Sequence, residues 1–163
     1  MAGLFDILKR KIGIGKYKFN GSFELGQLYY FRYNPKFRDV LSFYDGKPLV
    51  FFIGKNQYGN LMGLNIHFIP MKLRERMFKQ IKFRTDGKPL KFTMLKGIGV
   101  VARFFPSIIR SYIPSRMRGI ITIPLDQATL NEVKSLPTEK FFGKSSDEIF
   151  KITMSMKNAK RKK

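Results

Sequence analysis

Residues 48–70 read PLVFFIGKNQYGNLMGLNIHFIP. Two apolar runs, 48–54 and 61–69, flank the polar segment Lys55-Asn56-Gln57-Tyr58-Gly59-Asn60. Runs of this length, bounded by Gly, Asn and Pro, predict two strands joined as a hairpin. Gly63 interrupts the second run, where glycine marks a bulge or a close approach of backbone. Pro70 stops that run and suits the first residue of a helix. Beyond it, Leu73, Met77, Phe78 and Ile81 form an apolar stripe, with Arg74, Arg76, Lys79 and Lys82 read as lying outside it. The segment therefore predicts a surface helix with separate apolar and basic faces.

Upstream, residues 28–33, LYYFRY, predict another strand that ends at the Asn34-Pro35 turn. Strand alternation makes Phe31 a core residue and puts Tyr30 and Arg32 together on the opposite face, where exposure is allowed. Downstream, 84–96 reads as a polar loop around Asp86-Gly87-Lys88-Pro89. A second helix is predicted over about 98–113, interrupted at Pro106. Lys96, Arg103 and Arg110 recur every seven residues along this region and read as one basic stripe. GIITI at 119–123 predicts a further buried strand, and Asp126 caps a short helix through Lys134. At the N-terminus, LFDILKRKI (4–12) is amphipathic. It packs as an arm on its own domain, or docks on a neighbour or a membrane surface.

This order predicts an α+β fold: a small antiparallel sheet, or an SH3-like barrel with inserted helices. Residues 1–21 form an arm and linker, 22–150 a single domain, and 151–163 a basic tail.

The chain has 163 residues, enough for one hydrophobic core. Its seventeen Phe exclude a disordered basic polymer. Thirty-two Lys and Arg oppose eleven Asp and Glu, a net charge of +21. Residues 70–119 carry +11 and residues 157–163 a further +5, whereas 120–156 hold five acids and four bases. Charge concentrated in this way calls for a polyanion or an acidic partner. The phosphate-contact candidates are Lys72, Arg74, Arg76, Lys79 and Lys82 on the predicted helix, and Lys96, Arg103, Arg110, Arg116 and Arg118 after it. Lys160, Arg161, Lys162 and Lys163 in the tail complete the set.

Several classes are excluded. Without Cys there is no disulfide framework, thiolate zinc site or cysteine nucleophile. A single His makes no His-rich metal site. No apolar run approaches the roughly 18 residues that span a bilayer, and Ala2 excludes N-myristoylation. No Walker or dinucleotide-binding motif occurs. Lys96-Gly97-Ile98-Gly99 precedes a helix and could face a phosphate, but a flexible helix start explains it as well. Asp39, Asp45 and His67 offer the best case for an enzyme, a metal-dependent nuclease. Their spacing is not diagnostic, because such sites need two or three convergent carboxylates. Asp45 reads instead as the start of the Asp45-Gly46 turn. His67 reads as a structural histidine, with Asn65 on the same strand face as its network partner. The sequence thus predicts no catalytic residue, metal, cofactor or small-molecule substrate.

The segment from Gly26 through Tyr29-Tyr30-Phe31-Arg32-Tyr33-Asn34-Pro35-Lys36 is distinctive. So are Leu41-Ser42-Phe43-Tyr44-Asp45 with Lys47-Pro48-Leu49-Val50, and Gly63-Leu64-Asn65-Ile66-His67-Phe68-Ile69-Pro70. They resemble the DNA end protector family of T4-like tailed phages, whose pattern reads YxFxYxPK, LPYYDxxPLV and GLNLHYLP. Ser42-Phe43 stands where the pattern has Pro-Tyr. The resemblance covers about residues 26–80, with a second similarity at Leu136-Pro137-Thr138-Glu139-Lys140-Phe141. It implies a virion protein, assembled in the host cytoplasm. Such a protein holds the packaged genome end near the head–tail junction and shields it from exonucleases. Double-stranded DNA and other virion proteins are then the partners, and self-association would add bulk at the end. Within this reading, Tyr44, Asp45, Pro48, Asn65 and His67 hold the fold together. The rival reading is a connector subunit of the neck, tail or baseplate, whose charge meets acidic neighbours.

Overall fold

The computed structural model describes residues 19–41, 44–85, 91–104, 108–125 and 151. The predicted helices at 4–12 and 126–134, the Asp86-Pro89 loop and the C-terminal tail lie outside them.

Among the described residues five strands form one antiparallel sheet: β1 (Leu28–Tyr33), β2 (Leu49–Lys55), β3 (Leu61–Asn65), β4 (Ile109–Tyr112) and β5 (Met117–Ile123). Their spatial order is β4-β3-β2-β1-β5. Three helices, α1 (Met71–Thr85), α2 (Phe92–Lys96) and α3 (Gly99–Phe104), are inserted between β3 and β4. The α+β class is as expected from the sequence.

Both faces of the sheet are covered, which explains why the strands read as continuous apolar runs rather than as alternation. Leu28, Tyr30, Leu49, Phe51 and Leu64 face the helical layer and pack with Met77, Phe78, Leu95 and Val101. Tyr29, Phe31, Val50, Phe52, Leu61 and Tyr112 form a second, aromatic core on the other face. Tyr30 is therefore fully buried, not shared with solvent, while Arg32 at the strand end is exposed.

The β2–β3 loop is closed by Asn56, whose Oδ1 accepts the Tyr58 and Asn60 amides at 2.9 and 3.0 Å. Such side-chain-to-backbone bonding is the reason Asn initiates turns. In the paired strands, Ile53 is the extra residue, since Phe52 faces Gly63 and Gly54 faces Met62. Gly63 provides the close approach. A Cβ there would overlap Val50 Cγ1 and lie 3.1 Å from the Phe51 carbonyl oxygen. Gly63→Ala should cost about 1–3 kcal/mol by overpacking, with part regained in the Val50→Ala background. Urea unfolding midpoints check this; equal midpoints for wild type and Gly63→Ala would refute the close-packing account.

Four expectations need correction. The strand predicted over 61–69 ends at Asn65, because the Asn65 side chain accepts the His67 amide and turns Ile66–Phe68 into a 3₁₀ turn. The loop predicted over 84–96 contains α2. The helix predicted over 98–113 is split: α3 ends at Phe104, and Ile109–Tyr112 pairs with β3 as a strand. Pro106 and the β-branched Ile108-Ile109 explain the change, since proline stops a helix and β-branched side chains favour strands. Lys96, Arg103 and Arg110 consequently share no helical stripe.

Finally, no closed barrel forms among the described residues, because β4 and β5 share no ladder pairing. The sheet instead curls until side chains of β4 and β1 meet. The Tyr112 ring packs edge-on against Phe31 and Tyr33, with centroids 5.2 and 5.0 Å apart. The Ile113 amide donates to the Tyr33 hydroxyl at 3.2 Å. A 3₁₀ turn, Pro114–Arg116, then carries the chain to β5. On β5, Gly119 adopts φ +59° where Tyr30 pairs with Ile121 but Arg32 with Arg118, a bulge.

Candidate nucleic-acid interface

Asp45, Asn65 and His67 come together in the interior, joined by Tyr112 from β4. Asn65 Nδ2 donates to Asp45 Oδ2 and to the Tyr112 hydroxyl, both at 3.0 Å. His67 Nδ1 lies 2.7 Å from Asp45 Oδ2. Asp45 Oδ1 accepts the Lys47 amide at 3.0 Å, so this carboxylate also makes its turn. Burial, and then the nearby Asp45 charge, hold the Tyr112 hydroxyl well above the ordinary tyrosine range. Pro48, just before β2, is buried and its carbonyl accepts the Phe31 amide at 3.4 Å. Tyr44 is half-buried beside Asp45 in sequence. The His67–Asp45 pair is buried, at 0% and 6% exposure. Among the described residues no group of three His, Asp or Glu could hold a metal ion.

The candidate cations divide into three sets. Arg74 is a correction: it is 1% exposed and faces the core. Its Nε donates to the carbonyls of Ile66 at 3.1 Å and Ile69 at 2.7 Å, and its Nη2 to that of His67 at 3.0 Å. It anchors the 3₁₀ turn to α1 and is not available to a ligand. Lys72, Arg76 and Lys79 on α1 and Arg103 on α3 are exposed, and Lys79 lies 3.5 Å from Glu75. The side chains of Lys82 and Lys96, and the tail residues Lys160, Arg161, Lys162 and Lys163, fall outside the description.

The third set gathers at the β1–β5 end of the sheet. Arg32 and Arg118 are direct cross-strand partners, and both are exposed. Like charges placed opposite one another are unfavourable, and Arg118 Nη1 donates to the Ser115 and Met117 carbonyls, both at 2.8 Å. Arg116 Nη1 donates to the Asn34 carbonyl at 3.3 Å, beside this pair. Arg32 is absent from the sequence-based candidates. Strand register, which brings it to Arg118 from 86 positions away in the chain, has no local signal in the sequence.

Arg110 stands apart. On β4 it lies with its guanidinium carbon 4.1 Å from the Phe68 ring centroid. Burial lowers its pKa from the usual arginine value. Its Nη1 donates to the Ile109 carbonyl, and it has no carboxylate partner among the described residues. Arg110 lines a cleft of about 560 Å³ together with Tyr33, Phe37, Tyr44, Phe68 and Tyr112.

These features define a class: a small basic α+β protein with exposed cations on α1, α3 and β5 and a histidine–carboxylate pair locked in a structural network. A family model described as phage T4 terminal DNA protecting protein matches residues 16–156, and the chain belongs to that family. The resemblance carried by the β1, β2 and β3 motifs is thereby extended over most of the chain. No curated protein and no solved structure matches it.

Proposed function

We propose that this protein binds the end of linear double-stranded DNA in the phage virion, near the head–tail junction. There it shields the end from exonucleases without catalysing a reaction. Family membership over residues 16–156 carries this reading. The placement of Lys72, Arg76, Lys79, Arg103, Arg116 and Arg118 off the cores supports it. Lys82, Lys96 and the tail cations Lys160–Lys163 add to the same surplus. In this mechanism the cations neutralise phosphates and release counterions, so binding is independent of sequence and steep in salt. For six to ten phosphate contacts, affinity for a labelled linear duplex should fall about 10³-fold or more between about 50 and 200 mM salt. An exonuclease assay in the same buffer should show slower degradation of the bound duplex. Affinity that stays flat across that range would refute the phosphate mechanism.

A connector role has one observation in its favour. Phe37, Val40 and Leu41, at 61%, 81% and 42% exposure, share one turn after β1. Cross-linking in intact virions separates the two readings, by attachment of this turn to protein or of the arginines to DNA.

A further inference from the structure

We propose that the cleft beside Arg110 takes one unpaired nucleotide from a DNA end. The base lies among the aromatic walls, and its phosphate meets the Arg110 guanidinium. This deepens, and rests on, the DNA-end reading above.

Three observations lead there. The first is shape and lining. About 560 Å³ is the size of a small-ligand site. Tyr33, Phe37 and Tyr44 line it with aromatic side chains, the residue type on which bases of any identity stack. Phe37 is 61% exposed and forms a lip rather than part of a core. The second is charge. Arg110 stands half-buried at this cleft with no carboxylate to balance it among the described residues. Lys36 lines the same cleft. Asp45 also lines it, but both of its oxygens are engaged by Lys47, Asn65 and His67. The net invitation is to an anion attached to a planar apolar group, which describes a nucleotide.

The third is continuity. Arg116 is bonded to the carbonyl of Asn34, and the cleft wall begins at the next residues, Pro35 and Lys36. The Arg116 amide in turn donates to the carbonyl of Ile113, another wall residue. The opposed pair Arg32 and Arg118 lies two register steps further along β1 and β5, past Tyr33 and Met117. A strand whose phosphates follow these arginines is delivered to the mouth of the cleft. Inside a duplex both faces of a base are stacked and its edge is paired, so extrusion is costly. The cost is least for a base that is already single-stranded. An aromatic cleft therefore selects termini over internal sites while remaining blind to sequence.

The test uses the full chain and three labelled duplexes of equal length at one low salt concentration. One has two-nucleotide overhangs, one is blunt, and one is closed by hairpins at both ends. The overhang duplex is expected to bind about ten-fold or more tightly than the closed one, the effect of stacking a single base. A fluorescent adenine analogue in the overhang should be quenched on binding, and the same analogue inside the duplex should not. Phe37→Ala should abolish the quench and the preference while leaving affinity for the closed duplex unchanged, and Arg110→Ala should abolish the quench and the preference as well. Phe37 is exposed, so its variant folds even where Arg110→Ala perturbs Phe68. Equal affinity for all three duplexes, or a quench that survives both variants, overturns the proposal and leaves general DNA binding standing. Failure to bind any duplex overturns both it and the reading on which it rests. Free deoxyadenosine monophosphate offers the same chemistry. Displacement of the overhang by micromolar monophosphate would make the cleft a site for free nucleotide and would overturn the assignment to DNA ends.

Discussion

Arg74→Ala should lower the unfolding free energy by about 3–5 kcal/mol, a large fraction of the roughly 5–15 kcal/mol that a domain possesses. The side chain is 1% exposed and donates to three main-chain carbonyls, those of Ile66, His67 and Ile69. Truncation removes these donors from acceptors in a buried turn and also leaves a void between α1 and the sheet. Lysine does not replace it well, because a single ammonium lacks the planar fork that reaches several acceptors at once. Arg74→Lys should therefore fall between wild type and Arg74→Ala. Arg76→Ala, two residues on and exposed, should move stability by less than about 0.5 kcal/mol. Urea midpoints for the three variants check the ranking. Equal midpoints for Arg74→Ala and Arg76→Ala would refute the anchoring role. The same pair separates fold from function, since Arg76→Ala should weaken binding to DNA while Arg74→Ala acts through folding.

Arg74 also shows how far residue type can mislead. A helix places positions i, i+3, i+4 and i+7 on one face. Position 74 therefore shares the face of Met77, Phe78 and Ile81. Read by position alone it belongs to the core; read by its charge it belongs outside. The carbonyls that make a buried guanidinium tolerable lie in a turn formed by Asn65, which the apolar run 61–69 conceals. The seven-residue recurrence of Lys96, Arg103 and Arg110 was a coincidence of spacing across two helices and a strand. Ile108-Ile109 after Pro106 was the local signal for that break. By contrast, β1, β2 and the Asn56 turn were legible because their determinants are local: apolar runs, an Asx side chain, glycine and proline. The aromatic cleft and the opposed Arg32 and Arg118 were not legible. Each is assembled by strand pairings between residues far apart in sequence, and only the register decides which side chains meet.

Asp45→Ala carries the second large effect and decides what the histidine is for. The carboxylate accepts the Lys47 amide and the Asn65 amide, and it lies 2.7 Å from His67 Nδ1. Removing it leaves these buried groups without their partner, a loss of about 3–5 kcal/mol. Asp45→Asn keeps the shape but has one acceptor oxygen. Its amide must then face either the Lys47 N–H or the Asn65 and His67 side, donor against donor. An intermediate loss is expected. At a temperature where both variants stay folded, affinity for a duplex with closed ends should equal that of wild type, because the network sits apart from the exposed cations. Thermal melts and fluorescence anisotropy on the same samples measure the two properties together. If the folded variants lose duplex affinity, Asp45 belongs to the interface. If wild type cleaves DNA and Asp45→Ala does not, the buried pair is a catalytic dyad and the protein is an enzyme. If only stability changes, Asp45 and His67 are there to fix β3 and its turn, so that Arg110 and the cleft beside it are held in register.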